Sequence, residues 1–205
     1  MILVGIHGKG GSGKDTVGEI LRDKHGFGSA AFANPIKRMI CCLLDVGLAK
    51  WNDREWREAP LELFGNKSPR FMAQTIGTEW GRRTIDPDLW LNLTMNKIKA
   101  VNWDKVAITD VRFDNEAEYI RDHGGFIIHV HRDESDLHEN AQAHDSEVGL
   151  SVRLDDFHIN NYGTLEDLEA QVSDVVEQIF SEEEKKIEEV HSDVDDSPGT
   201  DNRSD

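Results

Sequence analysis

Residues 8–16 read Gly8-Lys9-Gly10-Gly11-Ser12-Gly13-Lys14-Asp15-Thr16 and follow directly on the strand-like run Ile2-Leu3-Val4-Gly5-Ile6-His7. Behind them, between Asp15 and Lys24, Val17, Ile20 and Leu21 fall on one face at helical spacing. A glycine-rich turn between a strand and a helix lets successive backbone N–H groups point inward, where the helix N-terminus adds partial positive charge. The spacing G-x-x-x-x-G-K is that of a phosphate-binding loop (P-loop), with Lys14 placed to reach the outer oxygens of a polyphosphate. Gly11, Ser12, Gly13, Lys14, Asp15 and Thr16 are accordingly the expected nucleotide-binding positions. Ser or Thr usually follows the lysine as a magnesium ligand. Here Asp15 follows, with Thr16 next, and these two are the candidate metal ligands.

Outward from the loop, β-branched runs alternate with amphipathic stretches, the pattern of a parallel sheet covered by helices on both faces. Strands are expected at Val106–Thr109, Phe126–Val130 and Phe157–Asn160. Ser68-Pro69 reads as a helix cap followed by proline in the first turn, and Asp86-Pro87 repeats that device ahead of Leu89–Val101. Thr164-Leu165-Glu166-Asp167 has capping-box form, and Leu165, Leu168, Val172, Val175 and Ile179 then recur at helical spacing.

The 205 residues carry 23 Lys and Arg against 40 Asp and Glu, a formal charge of −17. Such a balance argues against a protein held mainly by nucleic acid backbone, which is bound by clustered cations. It leaves room for a small phosphorylated ligand, since a few local Arg and Lys suffice to hold one phosphate. No apolar run approaches the roughly 18 residues of a membrane span, and the start lacks the pattern of a secretory signal. Cys41 and Cys42 are adjacent, where a disulfide would be strained and would close no useful loop, so a reducing, cytoplasmic setting is expected. Residues 181–205 hold ten acidic residues against Lys185, Lys186 and Arg203. That segment reads as an acidic, mostly disordered tail, with helix continuing to about His191.

Several polar positions lie away from the loop. Arg70, Gln74 and Thr78 are spaced i, i+4, i+8, polar where a core face should be apolar. Arg holds phosphate bidentately and Gln meets the polar edge of a base, although a solvated helix face explains these three residues equally well. In Val106-Ala107-Ile108-Thr109-Asp110-Val111-Arg112, an apolar strand delivers Asp110 and Arg112 to the carboxyl edge of the sheet, where open α/β folds bind ligands. A surface pair of Arg112 with Asp114 or Glu116 is the plainer alternative. Residues 131–150 have the character of a lid that closes over reacting phosphates, with Arg132 the cation it would carry. His131, His138 and His144 match no standard zinc spacing, and no structural metal is assigned.

Three blocks together resemble the bacteriophage deoxynucleoside monophosphate kinase family: Gly8–Thr16; Pro69-Arg70-Phe71-Met72-Ala73-Gln74-Thr75-Ile76-Gly77-Thr78-Glu79-Trp80, continuing to Trp90; and Thr109-Asp110-Val111-Arg112 through Gly124-Gly125-Phe126-Ile127-Ile128-His129-Val130. His144-Asp145-Ser146-Glu147 with the Phe157–Asn161 stretch is a weaker fourth. Asp15 after the lysine is what this family shows. The resemblance implies a P-loop fold over residues 1–180, an acceptor-binding helical region over about 36–101, and transfer of the γ-phosphate of ATP to a deoxynucleoside monophosphate with magnesium. It implies acceptor contacts from Arg70, Gln74, Thr78, Trp90, Asp110, Arg112 and Glu116; Lys9 and Lys37 are further expected acceptor contacts, and Lys14, Arg112 and the lid's Arg132 are the expected catalytic cations. A homodimer is left open, as is a kinase of another small phosphorylated acceptor such as phosphomevalonate, or a P-loop ATPase or switch. Trp51 and Trp56 read as core aromatics.

Overall fold

The computed structural model describes residues 1–132 and 150–195. Five parallel strands form one sheet: β1 (Ile2–His7), β2 (Gly28–Ala30), β3 (Lys105–Ile108), β4 (Phe126–His131) and β5 (Phe157–Asn160), in the order β2-β3-β1-β4-β5. The helices are α1 (Lys14–His25), α2 (Asn34–Leu43), α3 (Arg54–Glu58), α4 (Pro69–Thr75), α5 (Leu89–Val101), α6 (Asp114–Asp122) and α7 (Leu165–Asp195). Two 3₁₀ turns, Leu48–Asn52 and Glu62–Phe64, lie among them.

Strand β1 is buried on both faces, as a central parallel strand must be. Val4 and Ile6 join Val17, Ile20 and Leu21 of α1 and Leu168, Val172, Val175 and Ile179 of α7 in one core layer. Leu3 joins Ile36 and Ile40 of α2, Trp90 and Met95 of α5, and Ala117 and Ile120 of α6 in the other. Since β1 pairs with β3 on one side and β4 on the other, the chain leaves its carboxyl end at the point where strand order reverses, which opens a crevice there.

Three elements differ from the sequence reading. Strand β2 was not foreseen, because Gly28-Ser29-Ala30 is three residues of weak strand propensity and its place is set by pairing to β3 and by the Trp103 indole lying against Gly28. Ser68 caps α4 as expected, accepting from Phe71 N, with Pro69 in the first turn. Ahead of α5 the device shifts by two residues: Asp88 is the cap position, while Asp86 accepts from the Asp88 N–H at 2.7 Å in a turn of its own. Past Thr75 the α4 helix widens into π-helical turns over Ile76–Ile85, closed by Asp86 N donating to Gly81 O at 3.0 Å. There the Trp90 indole packs on Gly81 and donates from Nε1 to Gly77 O at 2.8 Å. The change of pitch removes Thr78 from the Arg70–Gln74 row and buries it.

Helix α7 runs on through residues 181–195, slightly past the expected end near His191. Glu and Lys are strong helix formers, and Lys186 anchors this part by pairing with Glu183, donating to Gly124 O and lying over the Phe126 ring. Residues 196–205 lie outside the described residues, as do 133–149 of the expected lid, with His138 and His144.

Candidate active site

The loop after β1 is shaped by its glycines. Gly11 and Gly13 sit at φ of 83° and 96°, a left-handed conformation that L side chains rarely adopt. A Cβ on Gly13 would also overlap the Asn161 carboxamide, which donates to Ser12 O at 2.9 Å. Ser12 is buried, and its hydroxyl has no partner among the described residues. Beside it Lys14 lies close to Lys9 O (3.4 Å), and Arg132, the residue beyond β4, reaches Gly11 O at 3.4 Å. Two left-handed glycines, an orphaned buried hydroxyl and two cations fit a bound polyphosphate.

Burial holds the Lys14 ammonium below its ordinary pKa; Asp15 and Asp110 oppose that shift, while Arg112 and Lys37 add to it. These charges therefore crowd one crevice. Asp110 is spent on structure: its two oxygens accept from Phe32 N (2.7 Å) and Ala33 N (2.9 Å), fixing the turn from β2 into α2 that brings Lys37 in. Arg112 and Lys37 have no hydrogen bond or ion pair from their side chains among the described residues. Unneutralised cations around a partly desolvated lysine are costly unless an anion joins them.

Glu116 lies behind Arg112 instead of facing the crevice. One oxygen accepts from Arg112 N (2.8 Å) and Phe113 N (3.2 Å), and the other pairs with Arg82, whose guanidinium lies over the Phe113 ring. Burial pushes its carboxyl up to about 7 against the pull of Arg82. Glu116 thus shapes the turn that presents Arg112, and the surface pair between their side chains does not form. Trp90, 1% exposed, is a core residue bonded to Gly77. Arg70 pairs with Glu58 of α3 at 3.0 Å. Gln74 is half-buried, Thr78 buried, Lys9 exposed. Trp51 and Trp56 pack edge to face, 6.1 Å apart, as core aromatics.

Sequence reasoning missed Arg82, for which spacing gives no signal, and a row of histidines on the α6 face of the sheet. His7, one residue before the loop, donates from Nδ1 to Val111 O (2.9 Å) and meets the His129 ring edge to face. His129 stacks on His158 and donates from Nε2 to buried Asp156 at 2.9 Å. His131 and His158 share a hydrogen bond of 2.9 Å. Arg121 holds both oxygens of Asp156. Strand alternation puts His129 and His131 on one face, and that was the available signal.

Magnesium in such sites takes one or two protein oxygens and otherwise water and substrate phosphate. Exposed Asp15 and half-buried Thr16, which follow Lys14 in the first turn of α1, suit that role. No group of three or more His, Cys, Asp or Glu gathers around a metal-sized site among the described residues.

A parallel sheet with a glycine-rich loop of P-loop spacing at its reversal point, and with the cations Lys37 and Arg112 beside it, has the architecture of a P-loop phosphotransferase. A model of the deoxynucleotide monophosphate kinase family matches residues 65–172. A putative deoxynucleotide monophosphate kinase of Acanthamoeba polyphaga mimivirus is 32% identical over 192 residues, 86% of this chain and 97% of that protein. The deoxynucleoside-5'-monophosphate kinase of Escherichia phage T5 is 28% identical, over 59% of this chain and 72% of its own. The chain belongs to the deoxynucleotide monophosphate kinase family. It is a nucleotide monophosphate kinase with ATP as phosphoryl donor. Among solved structures, TT1252 from Thermus thermophilus shares the fold at a TM-score of 0.50 and 20% identity, over 86% of this chain and 97% of that one.

Proposed function

We propose that the crevice holds ATP in the loop of residues 8–16 and a deoxynucleoside 5′-monophosphate on its Lys37 and Arg112 side, and transfers the γ-phosphoryl group between them. The observation that carries this reading is the pair Lys37 and Arg112, both crowding Lys14 and both without an ion pair among the described residues. Loop N–H groups and Lys14 hold the donor's phosphates. An oxygen of the acceptor phosphate, already anionic, attacks the γ-phosphorus as the bond to the β,γ-bridging oxygen breaks, leaving a diphosphate and ADP. No side chain forms a covalent bond, so the protein contributes position and charge. Lys14 neutralises the bridging and γ oxygens, and Arg132, at the rim of the loop, adds charge from the far side. Magnesium, on Asp15 or Thr16, would supply further neutralisation of the phosphates. Arg70 reaches the acceptor only by releasing Glu58. Adjacent Cys41 and Cys42, both free, accord with a reducing compartment, and no described helix is long and apolar enough to cross a membrane.

An ATP assay against each common dNMP and NMP, with an acceptor-free control, tests this. ADP should form only with acceptor. Lys14→Ala should abolish transfer while leaving the melting temperature near that of the parent, because Lys14 packs in no core. Equal ADP formation without acceptor, or near-normal turnover in the folded variant, would refute the assignment.

A further inference from the structure

Lys37 also lines a cleft of about 240 Å³ that the phosphate chemistry does not use, walled by Asn34 and Lys37 of α2 and by Leu48, Ala49, Trp51 and Asn52 of the neighbouring 3₁₀ turn. Its chemistry is mixed in a particular way. Leu48, Ala49 and Trp51 offer apolar surface, and Trp51 is held rigid against Trp56. The Asn34 and Asn52 carboxamides, each a paired donor and acceptor, have no hydrogen-bond partner among the described residues. A ligand that satisfies such a wall is a flat ring, apolar on its faces and polar along its edge, tethered to an anion at the Lys37 end.

We propose that this cleft seats the base of the acceptor, with Asn34 and Asn52 reading its edge while Lys37 holds the phosphate. This rests on the deoxynucleoside monophosphate reading above and adds to it the residues that choose among bases. Lys37 is the link, because it belongs both to the cleft wall and to the charges crowding Lys14. An acceptor lying along it has its phosphate toward the γ-phosphoryl group and its base in the cleft.

The test measures kcat/KM for the four common dNMPs in the parent and in Asn34→Ala, Asn52→Ala and Lys37→Ala. An edge contact removed from one base but not another should change the ratio between bases by about tenfold, with KM for ATP unmoved. Lys37→Ala should weaken all four alike. If the alanine variants unfold, Asn34→Asp and Asn52→Asp keep the shape and replace the donor with a negative charge; the charge weakens all four dNMPs alike, and the ratio between bases should still move. Ratios unchanged in folded asparagine variants, while the parent phosphorylates dNMPs, overturn the base-seat assignment alone. A parent that phosphorylates no dNMP overturns the acceptor reading and this inference with it.

Discussion

Glu116 decides how Arg112 meets a ligand. Because the carboxylate takes the Arg112 backbone N–H and leaves its guanidinium alone, that side chain stays free for an incoming phosphate. Replacing it with Ala should remove a charge-assisted bond worth about 1.5–3 kcal/mol, roughly ten- to hundredfold in dNMP affinity. ATP affinity should change far less, and Arg112→Lys should recover part of the loss, since a point charge cannot reproduce the fork. Direct dNMP titration of the folded variants decides it, and unchanged binding removes Arg112 from the acceptor side. Arg112 was legible because an apolar strand ending in Asp-Val-Arg announces the sheet edge. Trp90 and Glu116 were legible as important positions but not as buried ones, because a sequence motif records which residues a site needs and is silent on which layer they occupy. Arg82 was not legible at all: its partner is 34 residues away across two helices.

Among the elements, the parallel register of β1, β4 and β5 stacks imidazoles on one another, and that has a pH signature. Burial holds the pKa of His7, His129 and His131 below the ordinary value of 6.5. In the window below 6.5 the unfolded chain therefore binds more protons than the folded one, and stability falls as pH drops through it. Glu116 runs the other way: held up near 7, it stays protonated in the fold while the unfolded chain ionises from about 4.5, so it costs stability as pH rises between them. The histidines and Glu116 thus act in opposite senses across that window, and the histidine share is read from a variant that lacks one titrating imidazole. His129→Phe keeps the ring and loses the titration, with Arg121 and the Arg153 N–H still holding Asp156. On acidification from pH 6.5 to 5 the variant should lose melting temperature relative to its own value at neutral pH by less than the parent does, and since Glu116 is common to both, parallel curves would exclude the histidine origin. The long strands and α1, α5 and α7 were legible from periodicity. The three-residue β2 and the π-helical widening were not, because both are imposed by tertiary contacts, with Trp103 on Gly28 and Trp90 on Gly81.

At the scale of the molecule, Ile179 is the last buried apolar residue of α7 among the described side chains, and the sequence beyond adds charge more than apolar surface. Deleting residues 192–205 should leave turnover and melting temperature nearly unchanged and lower the helical signal slightly; a large loss of either would mean the acidic end docks. More consequential is Asn161, at the far end of the sequence from the loop it braces. Asn161→Ala removes one hydrogen bond, about 0.5–1.5 kcal/mol, and should raise KM for ATP severalfold while sparing dNMP; an unchanged KM would show that the loop stands without it. The same bond sets a timetable. The phosphate loop is among the first parts of the chain to be synthesised, yet β1 has no strand partner until residues 105–131 exist, and the loop lacks its Asn161 brace until residue 161. At about 5–20 residues per second the interval from Lys14 to Asn161 is roughly 7–30 s. For most of it the nascent chain carries the whole nucleotide motif without the strands that flank β1, so ATP gains its full hold on the loop only once residue 161 has joined it.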